Sequence, residues 1–263
     1  YIVLWKNNMH ELKAVFWDVD GTIADTELCG HRVAFNLAFK DYDLDWNWNE
    51  KEYLELLNIS GGLNRIIHFR NKIHSKLDDS QCAKIQSRKR IHYENLILSG
   101  KIKVREGVLR LINELANFQV GQFIVTTSGR DSLEPFLESS LSSHLQFFSG
   151  LITYENVTKH KPFPDAYNLA VQLSNKSEVN CLAIEDSIIG VEAAKAANIS
   201  CLLTLPPWRS SNQKISYKAN ACVNSLGNIN YPSKLIYGER LISNNVDYEY
   251  LTAIINKNAE NKI

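Results

Sequence analysis

An excess of charge of either sign is missing from this chain. Its 29 Lys and Arg balance 29 Asp and Glu over 263 residues. No global field therefore favours nucleic acid or an acidic membrane surface, and any phosphate must be bound by locally placed groups. No apolar run approaches the ~20 residues of a membrane span. Cysteine is sparse and scattered (Cys29, Cys82, Cys181, Cys201, Cys222) with no CxxC pair. This argues against a thiolate metal site and fits a reducing compartment. Cys181 and Cys201 lie in apolar, strand-like runs and read as buried thiols. There is no internal repeat and no low-complexity segment. Methionine is nearly absent: Met9 stands alone, just ahead of the first apolar run. The residues before it, 1–8, read as an extension. Their apolar stretch Tyr1-Ile2-Val3-Leu4-Trp5 is too short for a signal peptide and has no basic segment ahead of it.

What is present is ordinary for a soluble globular protein, with 44% hydrophobic and 22% charged residues. The length suits one large domain or two smaller ones. Short apolar runs at 14–17, 123–126, 182–184 and 201–204 predict strands. The last three are separated by segments of helical period such as 191–198, the pattern of a parallel sheet with crossover helices. Residues 27–103 differ. They show helical period at 31–39, 50–57, 65–72 and 82–98 and no buried strand, and so read as a helical insertion after the first strand. Ser99-Gly100 closes its last helix, and the chain re-enters the sheet near Val104. The tail from 229 is rich in Asn, Lys and Tyr. It predicts an amphipathic helix over 248–255 and frayed residues over 256–263.

Four signals carry the chemistry. Asp18 and Asp20, in Asp18-Val19-Asp20-Gly21-Thr22, follow the first strand two residues apart, so period-2 geometry sends both the same way at its carboxyl end. Val125-Thr126-Thr127-Ser128 runs from a strand into hydroxyls. Lys161-Pro162-Phe163-Pro164-Asp165 lies ahead of a helical segment. Ala183-Ile184-Glu185-Asp186-Ser187 again ends a strand, with Gly190 and a helix beyond. Each has a purely structural reading: a Asp-Gly turn, a hydroxyl helix cap, a solvated lysine, an acidic pair on a helix dipole. Their order favours chemistry, because three of the four follow strand-like runs and so converge on one sheet edge.

In those four motifs the chain resembles the haloacid dehalogenase (HAD) superfamily phosphatases. The resemblance implies an α/β fold: a Rossmann-like core with a central parallel sheet flanked by helices, plus an inserted α-helical cap of the C1 type. The core would comprise 9–26 and 104–228, the cap 27–103, and the C-terminal tail, partly helical, 229–263. It implies Asp18 as the nucleophile that becomes an aspartyl-phosphate and Asp20 as general acid, then base. Thr127 (or Thr126) and the Ser128 amide would hold the phosphoryl oxygens, and Lys161 would neutralise them. Glu185 and Asp186, with Asp18 and the Asp20 backbone carbonyl, would hold Mg²⁺. The physical demands agree, since phosphoryl transfer needs positioning and cationic neutralisation more than anything else.

Within the insertion, the segments from Asp25 to Asn36 and from Leu56 to Ile66 are similar to the CbbY-like group of cyanobacterial and plastid type. That group removes a phosphate from xylulose-1,5-bisphosphate, a RuBisCO inhibitor, in association with the Calvin cycle. The implied substrate-binding residues are Asp25, His31, Gly61, Gly62, Arg65, Lys89 and Ser128. Gly61-Gly62 permits close backbone approach, Arg65 offers a planar fork for phosphate, and Lys89 matches a cap lysine of the related β-phosphoglucomutases. Structural readings stand beside these: an interhelical turn for Gly61-Gly62 and a structural hydrogen bond for His31. Arg130 either adds positive potential near the phosphoryl site or caps or solvates a helix. Trp17 stands where Phe is usual, and Glu106 replaces a common Pro, which should loosen re-entry into the core. Leu63-Asn64 replaces a more polar pair. The expected partner is a small sugar phosphate, with no nucleic acid, no membrane and a monomeric chain, in a bacterial-type cytosol or chloroplast stroma. The alternatives are a β-phosphoglucomutase-like phosphomutase, a phosphoglycolate or other sugar-phosphate phosphatase, a dehalogenase, and a binding module without catalysis.

Overall fold

The structure, a computed structural model, describes residues 10–59, 61–206, 208 and 218–260. The extension 1–8, Met9, Ser60 of the second insertion motif and residues 261–263 of the tail lie outside the described residues. The chain divides into two compact units, one made of Asp25–Lys103 with Asp131–Leu141 and the other of the remainder.

The larger unit is built on a seven-stranded sheet of order β3-β2-β1-β4-β5-β6-β7. Its strands are β1 (Ala14–Trp17), β2 (Gly121–Val125), β3 (Phe148–Ile152), β4 (Cys181–Glu185), β5 (Ser200–Thr204), β6 (Ala221–Val223) and β7 (Leu235–Tyr237). All neighbours are parallel except β6 and β7. The sheet is therefore mostly parallel and flanked by helices, the α/β class expected. Every residue of β1 is buried, and it has partners on both sides. A strand covered on both faces reads as an unbroken apolar run rather than as an alternation. Trp17, bulky as it is, fits: its indole N–H donates to Gln122 Oε1 at 3.1 Å, and the Gln122 amide donates to the Ile112 carbonyl at 3.0 Å.

Register positions the site. Trp17 pairs with Ile124 on one side and Ile184 on the other. One residue further on, Asp18, Val125 and Glu185 stand level at the carboxyl ends of three adjacent strands. This is where open parallel sheets place their ligands.

Two expectations need correction. Helix α9 (Tyr248–Glu260) does not fray at 256. Asn256 exchanges hydrogen bonds with the His10 backbone at 2.7 and 3.0 Å, and Asn258 donates to Ser200 Oγ at 3.0 Å. Re-entry near Glu106 is not loosened either. Its carboxylate accepts from the Asn228 amide, and a Cβ on Gly107 would come within 2.3 Å of the Gly227 carbonyl. The remaining helices of this unit are α5 (Val108–Asn117), α7 (Asp165–Ser174) and α8 (Ile188–Ala196).

The other unit is helical: α1 (Arg32–Asp41), α2 (Glu50–Leu56), α3 (Gly62–Lys72) and α4 (Asp79–Leu98), joined by most of α6 (Arg130–Ser140). A π-turn, Glu27–His31, leads into α1. Starts are set by caps. Asn49 accepts the Glu52 N–H at 3.0 Å, and Asp78 and Gln81 form a reciprocal capping box ahead of α4. The core here is aromatic, with Trp48 against Phe35 (4.7 Å between centroids), Phe39 (4.8 Å) and Phe69 (5.5 Å).

Candidate active site

Lys161 is the hub of the sheet-edge cluster. Its ammonium donates to Asp18 Oδ1 at 2.8 Å, Glu185 Oε1 at 2.6 Å and the Val125 carbonyl at 2.9 Å. Three donors thus meet three acceptors in a site where the Lys161 side chain is 4% exposed and that of Glu185 is fully buried. Tyr167, from α7, adds its hydroxyl to Glu185 Oε1 at 2.5 Å, and the ammonium lies 5.2 Å from its ring centroid. Ligand atoms of Asp18, Glu185 and Asp186 all lie within 4.8 Å of one another.

Two glycines make this crowding possible. A Cβ on Gly190 would fall 1.9 Å from Glu185 Oε2, and one on Gly21 would fall 2.2 Å from Asp186 Oδ2. Gly21 also holds φ at +89°, a region that favours glycine. Ser187 caps α8 by accepting the Gly190 N–H at 3.1 Å, which directs Glu185 and Asp186 off the strand end ahead of the helix.

Asp18 and Asp20 take different partners. Asp20 Oδ2 accepts from the Ser128 hydroxyl at 2.5 Å rather than joining the carboxylate cluster. Thr126 is buried, and its Oγ1 accepts the Ser128 N–H at 3.0 Å, while Thr127 is exposed at the tip of the turn. The start of α6 is met not by these hydroxyls but by Glu155, whose carboxylate accepts the Arg130 N–H at 3.2 Å.

The electrostatics follow from burial. It pushes the Asp18 carboxyl up to about 7; Lys161 opposes the rise, and Glu185 and Asp20 add to it. Burial, Asp18 and Glu185 also lift Asp186 well above the carboxylate range, against Arg105 and Lys161. Burial would weaken the Lys161 ammonium, but Asp18 and Glu185 outweigh it and raise its pKa. Burial and Glu185 keep Tyr167 a neutral phenol, hence a donor. Three carboxylates around one ammonium are short of positive charge, and an all-oxygen donor set of this kind suits a hard divalent cation.

The helical unit carries a second cluster. The Lys89 ammonium donates to His31 Nδ1 at 2.8 Å and lies 4.7 Å from the Tyr93 ring, on which His31 also packs at 4.0 Å. Arg65 donates to the Ile59 carbonyl (2.9 Å) and the Tyr53 hydroxyl (3.4 Å), and that hydroxyl donates to Glu27 (2.5 Å). Burial, then Lys89 and Arg65, hold His31 well below its usual pKa, so it is neutral and accepts. Gly61, at φ +85°, precedes α3, and Gly62 begins it against the Gln86 side chain. Asp25 accepts from the exposed Cys29 thiol at 3.7 Å.

Tyr167, Glu155 and Arg105 escaped the sequence reading. Tyr167 stands two residues beyond Asp165 in the lysine motif, the one signal that pointed to it. Glu155 and Arg105 meet their partners only through the fold.

Comparison with known proteins gives a consistent result. The haloacid dehalogenase-like hydrolase family matches residues 15–204. Protein CbbY of Rhodobacter capsulatus is 34% identical over 195 residues, covering 74% of this chain and 86% of that protein. A CBBY-like protein of Arabidopsis thaliana is 32% identical over 203 residues, 73% of this chain and 62% of that one. A crystal structure of a CbbY variant from Rhodobacter sphaeroides in complex with xylulose-(1,5)bisphosphate superposes with a TM-score of 0.71 at 30% identity, covering 83% of this chain and 98% of that one.

Proposed function

The chain belongs to the haloacid dehalogenase-like hydrolases, as an HAD-family phosphatase related to CbbY, and from that premise we propose that it hydrolyses xylulose-1,5-bisphosphate with Mg²⁺ through an aspartyl-phosphate. The observation that carries this reading is the Lys161 ammonium held between Asp18 and Glu185, with Asp186 alongside. Asp18, Glu185 and Asp186, with the Asp20 carbonyl, would hold the ion. When bound, it supplies the positive charge that keeps Asp18 ionised and offsets the phosphoryl oxygens.

An Asp18 carboxylate oxygen attacks phosphorus, and the sugar oxygen leaves with the proton that Asp20 gives it. Water then attacks the same phosphorus and loses a proton to Asp20, which restores Asp18 and releases inorganic phosphate. Lys161 neutralises the equatorial oxygens and the Thr127 hydroxyl orients them, with the Ser128 N–H, which donates to Thr126 Oγ1 in this structure, as a further donor once phosphate is bound. The Ser128 hydroxyl bonded to Asp20 supports the division of labour, because it sets the proton carrier apart from the nucleophile. In the helical unit, His31, Arg65 and Lys89, with Asp25 and the Gly61-Gly62 backbone, are assigned to the anionic remainder of the substrate. A sugar bisphosphate needs such a second cationic set, and Lys89 is a buried ammonium.

Among the described residues no helix is long and apolar enough to cross a membrane. As part of the same proposal the chain acts as a monomer in a bacterial-type cytosol or a chloroplast stroma. Its five thiols are all free, and its relatives come from bacteria and a plant.

The test is phosphate release from xylulose-1,5-bisphosphate with Mg²⁺, run beside other sugar mono- and bisphosphates. The expected result is the highest kcat/KM on that bisphosphate and background activity in Asp18→Asn. An isomerised sugar phosphate without inorganic phosphate would instead identify a phosphomutase, and activity retained in Asp18→Asn would remove the nucleophile.

A further inference from the structure

Arg105 lies outside the acidic cluster yet grips both sides of it. The chain returns to the sheet unit through a bridge between Ala24 and Val104, and the Arg105 N–H donates to the Ile23 carbonyl at 2.8 Å. Its guanidinium donates to the Gly21 carbonyl on one side. On the other it donates to the Leu205 carbonyl at 2.5 Å and Thr204 Oγ1 at 3.4 Å. Gly21 lies in the turn after β1, and Thr204 ends β5. In the sheet, β4 runs between β1 and β5. A side chain bonded to both flanks therefore straddles the carboxyl end of β4, where Glu185 and Asp186 leave the sheet.

The turn it holds is also tied to itself. The N–H groups of Thr22, Ile23 and Ala24 converge on the Val19 carbonyl, and that of Gly21 goes to the Ala24 carbonyl. The Gly21 carbonyl goes to Arg105, while the Gly21 Cα sits where an added Cβ would lie 2.2 Å from Asp186 Oδ2. Arg105 thus holds in place a residue that abuts Asp186.

We propose that Arg105 is a positioning residue: by strapping the Asp18–Asp20 turn to the end of β5, it sets the separation between that turn and Asp186, and so the fit of the cluster to Mg²⁺ over larger divalent cations. This rests on the Mg²⁺ reading above. Mg²⁺ demands near-ideal octahedral geometry, whereas Ca²⁺ accepts longer and more varied contacts. A strap that slackens should therefore cost Mg²⁺ more than Ca²⁺. A planar fork with several donors fixes a span that a lysine, with one flexible ammonium, does not.

The experiment titrates Mg²⁺ and Ca²⁺ calorimetrically into the wild-type chain, Arg105→Lys and Arg105→Met, with urea unfolding of each and sugar-bisphosphate kinetics at several Mg²⁺ concentrations. Mg²⁺ affinity should fall by roughly 10–100-fold in both variants, the range for residues that orient metal ligands. Ca²⁺ affinity should fall far less. Removing the positive charge in Arg105→Met would by Coulomb's law alone tighten a dication, so a loss there reports position and not charge. KM for the sugar should stay unchanged while kcat drops at low Mg²⁺ and recovers at high Mg²⁺. Unchanged Mg²⁺ affinity, or parallel losses for the two ions, overturns the proposal, as does failure of both variants to fold. A wild-type chain that binds no Mg²⁺ and releases no phosphate would instead overturn the functional reading itself.

Discussion

At the scale of single residues, the acidic cluster is held by hydrogen bonds that tie Lys161 to Asp18 and Glu185, in a space that two glycines leave open. Lys161 spends its three protons on Asp18, Glu185 and the Val125 carbonyl, and Glu185 takes a further one from Tyr167. Nothing in that arrangement is free to yield, which makes Gly190 a sensitive position. In an ordinary helix, replacing Gly with Ala stabilises by roughly 0.5–1 kcal/mol. Here the new methyl would lie 1.9 Å from Glu185 Oε2. A solvent-facing glutamate would swing aside at little cost, but this one is fully buried and tethered by Lys161 and Tyr167. Gly190→Ala should therefore lower stability by at least ~1–3 kcal/mol, the usual penalty of overpacking, despite its better helix propensity. It should also reduce Mg²⁺-dependent phosphate release by more than tenfold. Urea unfolding and initial rates on the purified variant check both, and a stabilised, fully active protein would show that Glu185 is not held as tightly as its bonds imply.

At the scale of elements, the pairing of the π-turn before α1 with α4 has a pH consequence. His31 is neutral in the folded chain because burial, and then Lys89 and Arg65, disfavour its protonated form. In the unfolded chain it takes up a proton below its ordinary pKa of about 6.5. The unfolded state then holds more protons, so stability falls as pH drops below about 6.5, by up to ~1.4 kcal/mol per pH unit, until the depressed folded pKa is reached. Above about 6.5 this contribution is complete and flat. Urea unfolding between pH 7 and 5 should show this slope in the wild-type chain and a shallower one in His31→Gln; identical slopes would mean that His31 protonates without penalty. Elements also explain what the sequence disclosed. Strands β1, β2, β4 and β5 were legible because double burial leaves an unbroken apolar run. Strand β3 was not, because Ser149-Gly150 interrupts it and only Ile152 is fully buried. Strands β6 and β7 have three residues each, and β7 faces solvent in part. The two aspartates of the first turn were legible from their spacing, and the lysine and second acidic pair from their motifs. Arg105 was not, since its side-chain partners lie 84 to 100 residues away in sequence.

At the scale of the whole molecule, the haloacid dehalogenase match ends at residue 204, but the fold does not. Strands β6 and β7 extend the sheet beyond β5, and α9 packs on β4 and β5, the strands that carry Glu185 and the far anchor of Arg105. The chain after 204 is fastened from several directions. Arg110 of α5 donates to the carbonyls of Leu226, Gly227 and Val246, and its neighbour Glu114 accepts the Tyr248 N–H at 2.8 Å. Phe118 stacks on Tyr248 with centroids 4.1 Å apart. Leu251, Ile254 and Ile255 are essentially inaccessible to solvent. A segment expected as a partly helical tail, frayed from 256, is thus a structural layer behind β4 and β5. Truncating Leu251 to Ala should leave a cavity under β4 and β5 and cost about 2–5 kcal/mol, the range for buried leucines. Because α9 supplies packing and no group of the acidic cluster, kcat/KM of the folded fraction should stay within about twofold of wild type, a change worth only ~0.4 kcal/mol in barrier height. Urea midpoints read with rates normalised to folded protein separate the two effects. A loss under about 0.5 kcal/mol, the level of an ordinary surface change, would mean that the layer is dispensable. A collapse of kcat/KM in fully folded protein would mean that α9 sets the geometry of the site rather than supporting it.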